Sequence, residues 1–353
     1  MRQFCVAASV VCYFLLLFFC FDSLNSCCLL SFVPVVPSYY NAEADNNNNN
    51  LNPYFFTGFS DAESNFHVSI VEKAELKVGK SVRVIFQISL HKKDKALLDK
   101  IKQFFCYYSD QGDVGKVIDR KDDVFYYRVS KVKELIFILD HFDKYPLLSQ
   151  KRADFELFKQ VINLILRQEH LTNSGLQEIV NIKASMNFGV MSDNLLTSFP
   201  NTVAVSRPII KDPVIYDPEW VTGFVEGEAC FFVNIYKRKD SVLGEGVKLV
   251  FKITQDKRNS DLLKKFVEIF RCGGIYNQSK SSSGNVIDFM VTGLSNITEN
   301  VIPFFLAHPL QGAKKKEFED FIKVVELMKK KAHLTKDGLE QIRAIKLGMN
   351  FKR

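Results

Sequence analysis

Apolar and polar residues alternate one by one from Asn65: Phe66, Val68 and Ile70 interleave with Asn65, His67 and Ser69, and Val84, Phe86 and Ile88 with Arg83, Ile85, Gln87 and Ser89. A period of two predicts two half-buried strands with one face in a core. The same alternation returns later, with Phe231, Val233 and Ile235 set against Cys230, Phe232, Asn234 and Tyr236, then Leu249, Phe251 and Ile253 against Lys248, Val250, Lys252 and Thr254. The non-core faces mix polar, basic and aromatic groups. Between and after these runs the apolar period lengthens, predicting helices over 96–105, 132–142, 152–167 and 174–186, with counterparts in the second half. A short helix should precede each strand set, because Asn52-Pro53 and Asp217-Pro218 place a capping side chain before a proline at the first helical position. Inside those helices stand Gly58 and Gly223. A helical glycine costs about 1 kcal/mol relative to alanine, so close approach of another helix is the natural reason for each. The expected class is α+β, with helices backing a largely antiparallel sheet.

The two strand sets belong to a duplication. Residues 53–70 read PYFFTGFSDAESNFHVSI and residues 218–235, 165 positions on, read PEWVTGFVEGEACFFVNI. The offset persists from Phe86 against Phe251, then becomes 163, where HLTNSGLQEIVNIKASMNF from His170 parallels HLTKDGLEQIRAIKLGMNF from His333. So long a period excludes a solenoid or propeller and predicts two domains related by a pseudo-twofold axis. Their expected limits are 51–200 and 217–353, joined by a linker over 201–216.

Composition changes this picture only modestly. With 47% hydrophobic and 25% charged residues, the chain of 353 has material for two cores and does not have the composition of a disordered protein. Outside the first 50 residues, 46 basic against 37 acidic side chains leave +9, which favours a polyanionic partner. Five of eight cysteines precede residue 30; Cys106, Cys230 and Cys272 are scattered, with neither zinc-ligand spacing nor a disulfide framework. Residues 1–50 join an apolar, largely uncharged leader to a polyasparagine tract at Asn46–Asn50, which should behave as a junction outside the fold. The leader reads as a secretory signal or membrane anchor, or as translated upstream sequence; it lacks the arginines and amphipathicity of a mitochondrial presequence. A strand of about ten residues spans roughly 33 Å, near one DNA turn, so two related sheets suit two successive half-sites.

FTGFSDAES at 56–64 and VTGFVEGEA at 221–229 resemble the paired motifs of the single-chain LAGLIDADG homing endonucleases, of the kind encoded in fungal mitochondrial introns. The resemblance runs from about Asn52 to the C-terminus and includes the LTxxGL start of the last helix in each repeat. It implies that the two motif helices pack at the pseudo-twofold axis and that each domain carries a saddle-shaped antiparallel sheet. It further implies that Glu63 and Glu228, at the eighth motif position, bind Mg²⁺ or Mn²⁺, with both DNA strands cut across the minor groove to leave short 3′ overhangs. Asp61 and Glu226, at the sixth, are expected to be structural or capping groups. Lys151 and Lys314 are the implied lysines that position water or stabilise charge, and Gln255 the implied polar active-site residue, whose place Leu90 takes in the first repeat.

Base readers on the strand faces are expected among Asn65, His67, Ser69, Arg83, Gln87, Asn234, Arg238, Lys248 and Lys252. The glycine that ends the family motif is Ser64 in one repeat and Ala229 in the other, a departure that matters if the turn needs φ > 0. The leading expectation is a monomeric, mitochondrial, site-specific endonuclease that acts on a long double-stranded DNA target and promotes intron mobility. The alternatives are an RNA maturase assisting splicing of its own group I intron, a non-cleaving DNA-binding protein, and, on the leader alone, a secreted or membrane protein. Both retained glutamates argue against a purely RNA-binding role.

Overall fold

The structure, a computed structural model, describes residues 51–108, 112–120, 122–278 and 285–350. The apolar leader and the asparagine tract lie outside these residues, and so do the expectations attached to them. Among the described residues no helix is long and apolar enough to cross a membrane.

Each repeat opens on its motif helix. Helix α1 (Pro53–Glu63) is capped by Asn52, whose Oδ1 accepts from the Tyr54 amide at 2.8 Å; α7 (Pro218–Glu228) is capped by Asp217, which accepts from the Glu219 amide at 2.8 Å. In both, proline fills a position whose N–H would have no helical partner. After α1 come β1 (Ser64–Glu72), β2 (Lys80–His91), α2 (Lys95–Tyr108), β3 (Lys116–Arg120), β4 (Val124–Val129), α3 (Val132–Lys144), α4 (Lys151–Leu166), α5 (Asn173–Lys183) and α6 (Asp193–Ser198). After α7 the plan repeats with β5 (Ala229–Lys237), β6 (Glu245–Asp256), α8 (Ser260–Phe270), β7 (Gly274–Asn277) and β8 (Val286–Thr292). It ends with α9 (Leu294–Asn296), α10 (Ile302–Ala307), α11 (Lys314–Lys329) and α12 (Lys336–Asn350).

The sheets are antiparallel, ordered β1-β2-β4-β3 and β5-β6-β8-β7. The alternating faces fall as the sequence predicts: Phe66, Val68, Phe86 and Ile88 are buried in one core, Phe231, Val233, Phe251 and Ile253 in the other. The helix predicted over 174–186 ends earlier, at Lys183, and the chain then turns through a short 3₁₀ segment in which Phe188 has φ 69°. Its counterpart α12 runs on to Asn350. Where the first repeat has the continuous helix α3, the second has α9 and α10 joined by a π-helical turn over Ile297–Val301, at the end of which the Ile302 amide bonds the Ile297 carbonyl. Pro303 supplies the reason, since it has no N–H to continue an α-helical ladder.

The two repeats meet through α1 and α7. A Cβ on Gly58 would overlap the Trp220 carbonyl and stand 3.0 Å from the Phe224 amide nitrogen; one on Gly223 would overlap the Phe55 carbonyl and stand 2.8 Å from the Phe59 nitrogen. Backbone therefore meets backbone, and only a residue without a side chain fits at either crossing. The segment between α6 and α7 is tied down by Arg207, whose guanidinium forks onto Asp154 of α4 at 2.6 and 2.9 Å and also donates to the carbonyls of Ser185 and Gln150.

Candidate active site

The paired helices end side by side, so Glu63 and Glu228 emerge next to each other. A Cβ on Gly227 would lie 2.9 Å from Glu63 Cγ and 3.1 Å from its Oε1, which places the Glu63 side chain against the residue that precedes Glu228. Burial raises the pKa of both carboxyls, and each is opposed by Lys151 and Lys314; the Glu63 charge also raises Glu228, and Asp94 raises Glu63. Ser64 and Ala229 follow with φ of −81° and −89°, extended backbone open to any residue. Loss of the motif glycine therefore leaves the helix-to-strand turn unstrained.

Asp61 and Glu226, two residues and so about half a turn earlier on their helices, face the other way, into the protein. Asp61 accepts from the amides of Leu148 and Ser149 at 2.8 and 3.0 Å, from Ser149 Oγ at 2.6 Å and from Trp220 Nε1 at 3.1 Å. Glu226 accepts from the amides of Gln311 and Lys314 at 2.9 and 3.1 Å. These are the amides ahead of and at the starts of α4 and α11, so each acid holds the N-terminus of a helix in its own repeat, where the helix dipole favours a negative charge.

That capping sets the lysines in place. Lys151, at the first position of α4, is half-buried and donates Nζ to the carbonyls of Ser60 and Ala62 at 3.1 and 3.0 Å; Lys314, at the first position of α11, donates to the Ala229 carbonyl at 2.6 Å. Burial lowers the Lys151 pKa, while Asp61, Glu228 and Glu63 raise it. Both ammonium groups are thus spent on the carbonyl ends of the motif helices and lie within electrostatic reach of both glutamates.

Two clefts result, and each is built from both repeats. One, of about 230 Å³, brings Glu228, Gln255, Arg258 and Asn259 of the second repeat to Lys151 and Asn65 of the first. The other, of about 250 Å³, brings Glu63, His91 and Asp94 of the first repeat to Lys314 and Glu317 of the second. Gln255 shares this cleft with Glu228 and lowers the pKa of that carboxyl against the burial effect. Leu90 occupies the equivalent place in the Glu63 cleft.

The donors present fit a divalent cation. Two half-buried carboxylates at the negative ends of two helices offer oxygen ligands and an attractive field. Among the described residues no group of three or more His, Cys, Asp or Glu side chains is arranged to hold a metal. An ion of the magnesium type, which keeps several waters and completes its shell with substrate phosphate, suits so open a pair.

The predicted readers share the non-core sheet faces. Asn65 pairs across the ladder with Gln87, and Ser69 with Arg83, while His67 lies between them; Asn234 pairs with Lys248, and Lys252 with Cys230. Asn65, His67, Arg83, Asn234 and Lys248 are exposed, and Ser69, Gln87 and Lys252 partly so. Arg238 lies past the end of β5, in the hairpin turn, where it pairs with Asp240 at 2.9 Å. The alternation also missed neighbours on these faces. Arg128 of β4 pairs with Gln87 in the ladder and donates Nε to its Oε1 at 2.8 Å, and its guanidinium lies 5.6 Å from the Tyr126 ring centroid. In the second sheet Asp288 accepts from Thr254 at 2.6 Å and stands 3.7 Å from Lys252.

The family model for the LAGLIDADG endonuclease matches twice, at residues 56–162 and 221–325. The crystal structure of the I-LtrWI LAGLIDADG homing endonuclease bound to target DNA is 40% identical, with a TM-score of 0.78 over 85% of this chain and 98% of that one. I-SmaMI, solved bound to uncleaved DNA target in the presence of calcium ions, is 38% identical, with a TM-score of 0.80 over 86% of this chain and 100% of that one. Two probable intron-encoded endonucleases of Neurospora crassa are 38% and 36% identical over 84% and 83% of this chain, which spans 64% and 53% of their lengths. With both matches beginning on the helices that abut through Gly58 and Gly223, this chain belongs to the LAGLIDADG endonuclease family.

Proposed function

We propose that this chain is a site-specific homing endonuclease that hydrolyses both strands of a long DNA target with a divalent metal, Mg²⁺ or Mn²⁺, and so spreads the intron that encodes it. The observation that carries the reading is the pair of half-buried glutamates at the adjoining ends of α1 and α7, each facing its own cleft. Glu63 and Glu228 would hold the metal, which when bound supplies a Lewis acid for the phosphoryl oxygens and a more acidic water. In each cleft a water oxygen bonds to phosphorus as a phosphorus–oxygen ester bond breaks, and the departing oxygen takes up a proton. Lys151 and Lys314, fixed by backbone carbonyls, place positive charge beside the phosphate without pairing off the carboxylates. Gln255 orients the Glu228 carboxylate.

The basic body holds the DNA backbone, and the exposed strand faces, Arg128 included, read bases in the major groove. As a monomer with two repeats the protein needs no second copy to reach two half-sites. Its fungal intron-encoded relatives support a mitochondrial origin.

Purified residues 51–353 incubated with duplex carrying the intron-insertion junction should give double-strand breaks with Mg²⁺ and none with EDTA. Tight binding without scission in Mg²⁺ or Mn²⁺ would overturn the enzyme and leave a DNA-binding protein.

A further inference from the structure

Asn259, in the turn after β6, reaches out of its own repeat. Its Oδ1 accepts from the Gln150 amide, just ahead of α4 in the first repeat, at 2.8 Å. Because a backbone N–H can only donate, the atom of Asn259 that meets it must be the carbonyl oxygen. Its Nδ2 is thereby turned towards Gln255 and donates to Oε1 at 2.7 Å. With Oε1 engaged, the amide nitrogen of Gln255 is the group left to donate into the cleft it shares with Glu228. One backbone N–H thus fixes the orientation of two side-chain amides that would otherwise be free to flip.

The first repeat keeps half of this device. Asp94 stands in the place of Asn259 and its Oδ1 accepts from the Ala313 amide at 2.6 Å, so the cross-repeat contact persists. Leu90 stands in the place of Gln255. An asparagine at 94 would aim its N–H at a leucine, whereas a carboxylate has no N–H to strand. The exchanges at 90 and 94 therefore belong together.

We propose that Asn259 is a positioning residue for the Glu228 cleft, acting through Gln255, and that the Glu63 cleft works without such a relay. The inference rests on the endonuclease reading. Asn259→Asp is the variant of choice, because it keeps the oxygen that accepts from Gln150 and replaces the donor to Gln255 by a second acceptor, with the charge that Asp94 already carries at the equivalent position. Junction duplex with a different dye on each strand is nicked by the wild type, by Asn259→Asp, by Gln255→Ala and by the double variant.

Cleavage of one strand should slow by roughly 10- to 100-fold in Asn259→Asp, as for residues that orient a metal ligand, while the other strand keeps its rate. In the Gln255→Ala background the same change should add nothing. Equal slowing of both strands, or full additivity, would overturn the relay. A readout without substrate accompanies it: in protein labelled with ¹⁵N-glutamine, the side-chain signal assigned to Gln255 by its loss in Gln255→Ala should shift in Asn259→Asp. An unmoved signal sinks the proposal even if the wild type cuts. If the wild type cuts neither strand, the endonuclease reading fails, and the Gln255 signal alone decides whether Asn259 orients that side chain.

Discussion

The Glu228 cleft and the Glu63 cleft are copies of one design that have settled their electrostatics differently. Beside Lys151, the neighbouring acid Asp154 is occupied by the Arg207 guanidinium at 2.6 Å. Beside Lys314, the equivalent acid Glu317 lies 3.6 Å from that lysine and 4.0 Å from Lys93. One cleft also has Gln255 beside its glutamate, lowering that pKa, and the other has Asp94, whose charge opposes ionisation of Glu63. A duplicated fold thus keeps its helix geometry, which packing enforces, while the groups around each glutamate diverge.

The largest expected effect tests whether the two clefts are both required. Glu63→Gln and Glu228→Gln should each lower double-strand cleavage by more than about 100-fold, read from gel-resolved products, since each removes a proposed metal ligand. Cutting retained by either variant would show that one cleft serves both strands. Both carboxyls have pKa values raised by burial, so the folded state binds their protons more readily than the unfolded chain does. Their contribution to stability is full below the ordinary carboxyl range and is lost as pH rises through the raised values. In metal-free protein at neutral pH, each glutamine variant should therefore melt at a higher temperature than the wild type.

Removing the cations that accompany the neighbouring acids sharpens the contrast. Arg207→Ala leaves Asp154 half-stranded and should cost about 2 kcal/mol in urea unfolding, below the fully buried case because the guanidinium is partly solvated. Lys93→Ala, opposite Glu317, should cost less than about 0.5 kcal/mol.

Acid should separate the repeats further. His141 is buried against Phe56, Phe104 and Phe105, shares a 2.9 Å hydrogen bond with Thr57 of α1, and has its pKa lowered to about 3 by burial; the second repeat carries Phe304 at this place. A lowered histidine contributes stability above its unfolded value near 6.5, and that contribution fades as pH falls towards about 3. His141→Phe should flatten the acid limb of the stability profile measured by circular dichroism. The smallest effect is expected where the motif departs from its family: Ser64→Gly or Ala229→Gly should cost about 0.5–1 kcal/mol of stability and gain no activity, since neither φ is positive.

The sequence was most legible where physics acts locally. The alternation of Phe66 and Val68, the proline starts and the interior glycines are signals carried by adjacent residues, and all found their counterparts in the fold. Gly58 and Gly223 even announced a long-range contact, because a helical glycine needs a reason from outside the helix. By contrast, β3 and β4 are short, and their outer residues Lys116, Tyr126 and Arg128 join the non-core sheet face through pairings set by distant partners. The same holds for Asn259, Asp94 and Arg207. Each looks like an ordinary surface residue in its own segment, and its importance comes from an amide or acid in another part of the chain.

The reciprocal caps, Asn259 on the start of α4 and Asp94 on the start of α11, bear on how such proteins can be recombined. A hybrid that joins the front half of this gene to the back half of a relative inherits neither cleft intact. Its compatibility is decided by the motif helices and also by whether residues 94 and 259 still reach the amides across the seam, so the unit of exchange includes those pairs and is not simply the half.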